Sequence, residues 1–119
     1  MIYPQEIEVW YLLPAIRREI TKALIRNGLT QKEIALKLSI TESAVSQYLK
    51  EKRAIDIKFD DVTLNLVEKA SKRIIKNENV MKEIEKIIHS MRKTKFVCKI
   101  HHQYDHSLPE HCENCIYEK

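Results

Sequence analysis

The sequence predicts an all-α protein built from five to six short helices. Its 119 residues include one glycine and three prolines, so the residues that interrupt helices are scarce. Hydrophobic residues make up 44% of the chain and charged residues 32%, which is typical of a globular protein and excludes a disordered one. We expect a helical domain at residues 1–95 and a small metal-binding segment of different composition at residues 96–119.

The N-terminal residues 1–13 are strongly apolar. Pro4 can begin a short helix, and Ile7, Trp10, Tyr11 and Leu13 follow it. A lone tryptophan in such a segment usually belongs to the core, so we expect Trp10 to be buried. The alternative is a contact between two subunits.

The first helix of the central region is predicted to begin at Pro14, because a proline fits the first position of a helix. Its apolar residues recur at helical spacing: Ala15, Ile16, Ile20, Ala23 and Leu24. Its basic residues are expected on the surface: Arg17, Arg18, Lys22 and Arg26. Gly28 is expected to end the helix in the left-handed conformation.

Two further helices follow at close spacing. Thr30 and Glu33 form the sequence pattern of a capping box at the start of one helix, and Thr41 caps the next. The predicted buried residues are Ile34, Ala35 and Leu38 in one helix and Ala44, Val45, Tyr48 and Leu49 in the other. Two short capped helices joined by the turn at Ser39 and Ile40 predict a helix-turn-helix.

The outward side chains of this motif suit DNA. The helix that begins after Thr30 would place its N-terminus at the DNA backbone, and the helix that begins after Thr41 would enter the major groove. Polar side chains there can read base edges, and lysines and arginine after them can contact phosphates. The predicted DNA-binding residues are Gln31, Thr41, Glu42, Ser43, Ser46, Gln47, Lys50, Lys52 and Arg53. Residues 15–58 hold ten Lys/Arg against five Asp/Glu, so positive charge is concentrated on this motif.

The run from Trp10 to Arg53 resembles archaeal predicted transcriptional regulators with a lambda-repressor-like, XRE-type helix-turn-helix. Residues 10–53 carry the strong part of the resemblance, and residues 54–95 a weaker part. It implies a lambda-repressor-like core, double-stranded DNA as the partner, and DNA contacts from residues at the positions of Gln31, Glu42, Ser43, Ser46 and Gln47. Glu51 departs from the family pattern, which commonly has glycine there. Helix-turn-helix proteins of this size commonly bind as dimers, so we expect a homodimer.

The residues after the motif predict a short extended link and two more helices. Ile55, Ile57 and Phe59 alternate with polar residues and would face the core. Asp60 or Asp61 would cap a helix through about Lys76, with an inner stripe of Leu64, Val67, Ala70 and Ile74. A last helix would run from Val80 to about Lys93, with Met81, Ile84, Ile87, Ile88 and Met91 on one face. That face would close the core or form the dimer contact.

The C-terminal segment contains all three cysteines and four of the five histidines. Cys98-x-x-His101 and Cys112-x-x-Cys115 have the spacing of a tetrahedral structural zinc site, which is the interpretation we favour. His102 and His106 are the alternatives to His101 as the histidine ligand. An iron–sulfur cluster on the three cysteines, or a redox-active dithiol or unstructured tail, are the alternatives. Regulators of the family that this chain resembles often carry a cysteine cluster near the C-terminus. That cluster often includes another Cys-x-x-Cys pair ahead of the position of Cys98. Its absence here favours a single zinc ion.

Several classes of protein are not expected. The sequence has no Gly-rich phosphate loop, no His-Glu-x-x-His and no Gly-x-Ser-x-Gly, so we predict neither an enzyme nor a small-molecule substrate. It also shows no signal peptide and no apolar run of the roughly 18 residues that span a bilayer, which predicts a cytoplasmic protein. The alternative to a DNA-binding regulator is a protein–protein adaptor that uses the same helical core.

Overall fold

The structure, a computed structural model, describes residues 3–50, 57–77, 79–94 and 96–104. The helices are Pro4–Ile7 (α1), Leu13–Arg26 (α2), Gln31–Leu38 (α3), Glu42–Leu49 (α4), Asp61–Ile75 (α5), Val80–Arg92 (α6) and Phe96–Tyr104 (α7), and the π-helical segment Glu8–Leu12 joins α1 to α2. The described ranges contain no strand, so the predicted all-α class is confirmed. None of these helices combines the length and apolar character needed to cross a membrane.

The chain from α1 to α2 is one continuous helix. The backbone N–H of Leu13 donates to the carbonyl of Glu8, five residues earlier, which is the hydrogen bond of a π-helix. Pro14 lies in the first turn of α2, as predicted, but it does not begin a separate helix. Because proline has no N–H, it cannot donate to the preceding turn, and the wider π-helical turn lies directly before it.

Helix α2 is the centre of the core, where it packs against α3, α4 and α5. Its fully buried apolar residues are Ala15, Ile16, Ile20, Ala23 and Leu24, as the spacing predicts. Arg26 at its end donates to Glu68 of α5 over 2.9 Å, and this bond holds the pKa of the Glu68 carboxyl below its usual range. The α2 helix therefore connects the helix-turn-helix to the helices that follow it.

Helices α6 and α7 close the other side of the molecule. Arg92 of α6 donates to both carboxylate oxygens of Glu8 over 2.9 and 3.0 Å. The ring of Tyr104 in α7 stacks on Tyr11, with ring centroids 3.8 Å apart. Helix α7 was not predicted, yet its Val97 is 1% exposed and belongs to the common core. Residues 96–104 thus pack against the helices of the predicted first domain.

Trp10 is not part of the core. It is 53% exposed, and its neighbour Val9 and, seven residues earlier, Tyr3 are exposed as well. The prediction that Trp10 is buried is wrong, because the π-helical segment turns Ile7 and Leu12 inward instead. The N-terminal residues 3–10 therefore leave three large apolar side chains in contact with solvent.

The apolar face of α6 packs against the core of the same subunit. Ile87, Ile88 and Met91 are buried, and Ile84 packs against the core. Met81, which was predicted to share their face, is 80% exposed and does not. The side chain buried in the first turn of α6 is instead Glu83, which accepts hydrogen bonds from Arg73 of α5.

The link before α5 follows the predicted alternation where it is described. Ile57 is buried and Phe59 packs against the core, whereas Ile55 lies outside the described residues. Asp60 caps α5 by accepting from the Thr63 backbone over 2.9 Å, which lowers the pKa of the Asp60 carboxyl. Leu64 is 37% exposed, so its predicted place in the inner stripe is wrong.

Candidate nucleic-acid interface

The turn between α2 and α3 depends on Gly28. Its φ is +94°, and the N–H groups of Gly28 and Leu29 donate to the carbonyls of Ile25 and Leu24. These two bonds form a Schellman motif, which satisfies the last carbonyls of α2. Nothing lies within 4 Å of the position that a Cβ would take, so the glycine is needed for its backbone conformation and not for space.

The capping box predicted at the start of α3 is present. Thr30 Oγ1 accepts from the Glu33 backbone N–H and Glu33 Oε1 accepts from the Thr30 N–H, both over 3.1 Å. The hydrogen bond from the Thr30 backbone lowers the pKa of the Glu33 carboxyl. Gln31, the first residue of α3, is exposed beside this capped terminus, where a phosphate oxygen can be bound.

The turn between α3 and α4 is tight. Ser39 adopts the left-handed conformation with φ 55°, and the Ile40 N–H donates back to the Ala35 carbonyl over 3.1 Å. Thr41 then caps α4 by accepting from the Ala44 N–H over 3.0 Å. The two helices are therefore joined by three residues, the length that a helix-turn-helix requires.

The residues predicted to form the inner faces of α3 and α4 are buried, apart from Leu49. Ile34, Ala35 and Leu38 of α3 and Ala44, Val45 and Tyr48 of α4 are buried. Helix α4 packs against α2 as well as α3, which fixes its direction relative to the rest of the molecule. Leu49 is partly buried at the end of α4.

The outer face of α4 is polar, and its side chains are most exposed at the start of the helix. Thr41, Glu42 and Ser43 are exposed, whereas Ser46 and Gln47 are half-buried one turn later. Lys50 is exposed directly after the helix. Lys52 and Arg53, the other predicted phosphate contacts, lie outside the described residues. The described part of the predicted DNA surface is thus brought together along one helix and the N-terminus of another.

Arg18 is a residue that the sequence analysis misplaced. It was expected on the surface of α2 but is only 6% exposed, and its Nη2 donates to the Ile57 carbonyl over 2.7 Å. Its guanidinium carbon lies 5.9 Å from the centre of the Phe59 ring. Helix α2 is enclosed on several sides, so its buried face is wider than an apolar stripe indicates. Arg18 thereby attaches the link between α4 and α5 to α2.

The predicted metal ligands are described only in part. Cys98 and His101 lie three residues apart in α7, so they share a helix face, whereas the sequence predicted a tight turn there. Cys98 is half-buried and His101 is 7% exposed. Cys112 and Cys115 lie outside the described residues. The described ranges alone contain no group of three or more side chains placed to hold a metal ion.

Comparison with known proteins agrees with this geometry. Residues 20–59 match the family model described as helix-turn-helix. This segment is a helix-turn-helix. The match begins within α2 and ends in the link before α5, so it includes α3, α4 and both of their capped N-termini. No curated protein and no solved structure matches the chain.

Proposed function

We propose that this protein is a sequence-specific, DNA-binding transcription regulator of the XRE type. The observation that supports this most is the polar, exposed start of α4 within a segment that matches the helix-turn-helix model. Glu42, Ser43, Ser46 and Gln47 have the short or amide side chains that bind base edges in a major groove. The concentration of positive charge on residues 15–58 is the second support, since phosphate contacts provide most of the affinity.

In the proposed complex α4 lies in the major groove and α3 crosses the backbone. Gln31 and the N-terminus of α3 contact one phosphate, and Lys50, Lys52 and Arg53 contact others. Thr41 caps the first turn of α4 by accepting from the Ala44 N–H. In the complex Thr41 lies beside the DNA backbone. The base-reading residues therefore lie between two sets of backbone contacts, as in other helix-turn-helix complexes.

The test is the loss of base discrimination in Gln47→Ala. Once a preferred duplex has been selected from random sequence, the variant is expected to lose roughly ten- to hundredfold in preference for it over an unrelated duplex. Gln103→Ala changes an exposed glutamine of α7 and is the matched control. An equal loss on both duplexes would contradict a base-reading role for α4. Circular dichroism of both variants checks that they fold.

We also propose that the regulator is a homodimer whose subunits meet through the exposed N-terminal patch of Tyr3, Val9 and Trp10. Two α4 helices are needed because one touches few bases. The stripe on α6, which was the other candidate surface, is buried in the monomer apart from Met81 and the half-buried Ile84. Exposed aromatic side chains are typical of the central part of protein interfaces.

We further propose that Cys98, His101, Cys112 and Cys115 bind one zinc ion. The support is the position of Cys98 and His101 on one face of α7, which provides half of a tetrahedral ligand set. Zinc would join the second cysteine pair to α7. An iron–sulfur cluster on the same cysteines is the alternative, and it would make the segment a sensor of redox state or iron.

A further inference from the structure

A cavity lies between α2, the start of α5 and the link that precedes α5. Its volume is about 300 Å³, and it is partly open to solvent. The residues that line it are Arg18, Glu19, Lys22, Ile57, Lys58, Phe59 and Leu64. None of them belongs to the proposed DNA surface, so the cavity requires a separate explanation.

The charged part of the lining is cationic. Arg18, Lys22 and Lys58 contribute three positive charges, and Glu19 contributes one negative charge. Glu19 lies 3.4 Å from Arg18 and 3.9 Å from Lys22, so these two cations already have a carboxylate beside them, and Lys58 is the cation that a ligand would pair with. Arg18 is 6% exposed, and a buried charge acts more strongly on a nearby ion than a charge in water does. The cavity is therefore suited to an anion.

The rest of the lining is apolar and includes an aromatic ring. The ring centroid of Phe59 lies 5.9 Å from the Arg18 guanidinium carbon and 5.5 Å from the ring centroid of Phe96. Leu64, which lines the cavity, is 37% exposed, although its spacing in α5 is that of a core residue. A ligand that covers Leu64 and Phe59 would bury apolar surface that the protein alone leaves in water.

We propose that this cavity binds a small organic anion with a flat apolar body, such as an aromatic carboxylate. A volume of about 300 Å³ is at the lower end of the range of roughly 300–1,000 Å³ that small-molecule sites occupy. The carboxylate lies against Lys58, and the apolar body contacts Phe59 and Leu64. A few placed polar groups in an otherwise apolar site are what small-molecule sites commonly provide.

The cavity is connected to the DNA surface through Arg18. Arg18 holds the Ile57 carbonyl over 2.7 Å, and Ile57 belongs to the link that follows α4 in the chain. An anion bound beside Arg18 competes for its positive charge and changes how the link is held against α2. This regulatory consequence rests on the proposed DNA-binding function, whereas the binding of the anion itself does not.

The binding site is tested with benzoate, using nuclear magnetic resonance of the ¹⁵N-labelled full chain without DNA. We expect saturable shifts of the Ile57, Phe59 and Leu64 amides. Benzamide, a neutral molecule of the same shape, is expected to bind at least about threefold more weakly. Lys58→Gln is expected to weaken benzoate binding by about three- to tenfold. Lys82→Gln, which changes an exposed lysine of α6 away from the cavity, leaves the affinity unchanged.

The outcomes separate the site from its regulatory role. Absent or unsaturable shifts, equal affinity for benzamide, or a Lys58→Gln variant that binds as the parent does would each overturn the site. If benzoate binds, we expect saturating benzoate to change the affinity for the preferred duplex at least threefold in the parent and not in Lys58→Gln. An unchanged affinity for DNA would overturn the coupling. A protein that binds benzoate and no DNA would contradict the proposed function while leaving the site intact.

Discussion

Two buried charged side chains, Arg18 and Glu83, hold neighbouring elements together. Arg18 connects α2 to the link at Ile57, and Glu83 connects α6 to Arg73 of α5. Neither was expected from the helical pattern, because periodicity assigns charged residues to the surface. Burial of a charge is tolerated where a partner satisfies its hydrogen bonds, and that partner lies 39 residues away for Arg18 and 10 residues away for Glu83.

The contact between Glu83 and Arg73 is expected to make the stability of the folded protein depend on pH. Hydrogen bonding from Arg73 lowers the pKa of its carboxyl, so the folded protein favours the ionised form. The stabilisation is fully present above the unfolded pKa of about 4.3 and is lost as the pH falls through the lower folded pKa. Glu83→Gln is therefore expected to reduce the free energy of unfolding by about 1–3 kcal/mol at pH 7, and less at acidic pH.

Urea denaturation of the parent and the variant between pH 7 and pH 3 measures this difference. Glu85→Gln is the matched control, because Glu85 lies on the same helix with its side chain 62% exposed. It is expected to change the free energy of unfolding by less than about 1 kcal/mol at pH 7. A Glu83→Gln difference that stays constant over the whole pH range would show that the ionised carboxylate is not the stabilising group.

The helices of the motif could be predicted from the sequence because their boundaries depend on neighbouring residues. Thr30 and Glu33 form a capping box, Thr41 caps α4 and Gly28 ends α2, and each of these is a contact within five residues. The exposure of Trp10 and the helix α7 could not be predicted in this way. The exposure of Trp10 depends on the π-helical segment, and α7 depends on packing between residues about 90 positions apart, such as the stack of Tyr104 on Tyr11.

Helix α7 is the element on which the metal proposal is tested. Protein purified without oxygen is expected to contain one zinc ion per chain and to show no visible absorption. Cys98→Ser is expected to lose the metal, whereas Ser90→Ala in α6 retains it. Iron and sulfide with visible absorption would establish the iron–sulfur alternative in place of zinc. Absence of both metals in the parent protein would contradict a metal site altogether.

For the whole molecule, the proposed dimer depends on the exposed side chains of Tyr3, Val9 and Trp10. Trp10→Glu places a charge in the N-terminal patch, and we expect it to convert the dimer to a monomer in sedimentation experiments. Met81→Glu changes another exposed apolar residue, on α6, and is expected to leave the dimer intact. Dissociation by Met81→Glu but not by Trp10→Glu would place the interface elsewhere, and a monomeric parent would contradict the homodimer.

The helix-turn-helix, its caps and the positive charge concentrated on it all support one central claim, which is that the molecule binds double-stranded DNA. The most direct test is the affinity for a random-sequence duplex between about 50 and 200 mM salt. We expect binding at low salt that weakens steeply as salt rises, because each phosphate contact releases counterions. Lys50→Gln should reduce the slope of log affinity against log salt by about 1. No binding at 50 mM salt would contradict the account and favour a protein–protein adaptor.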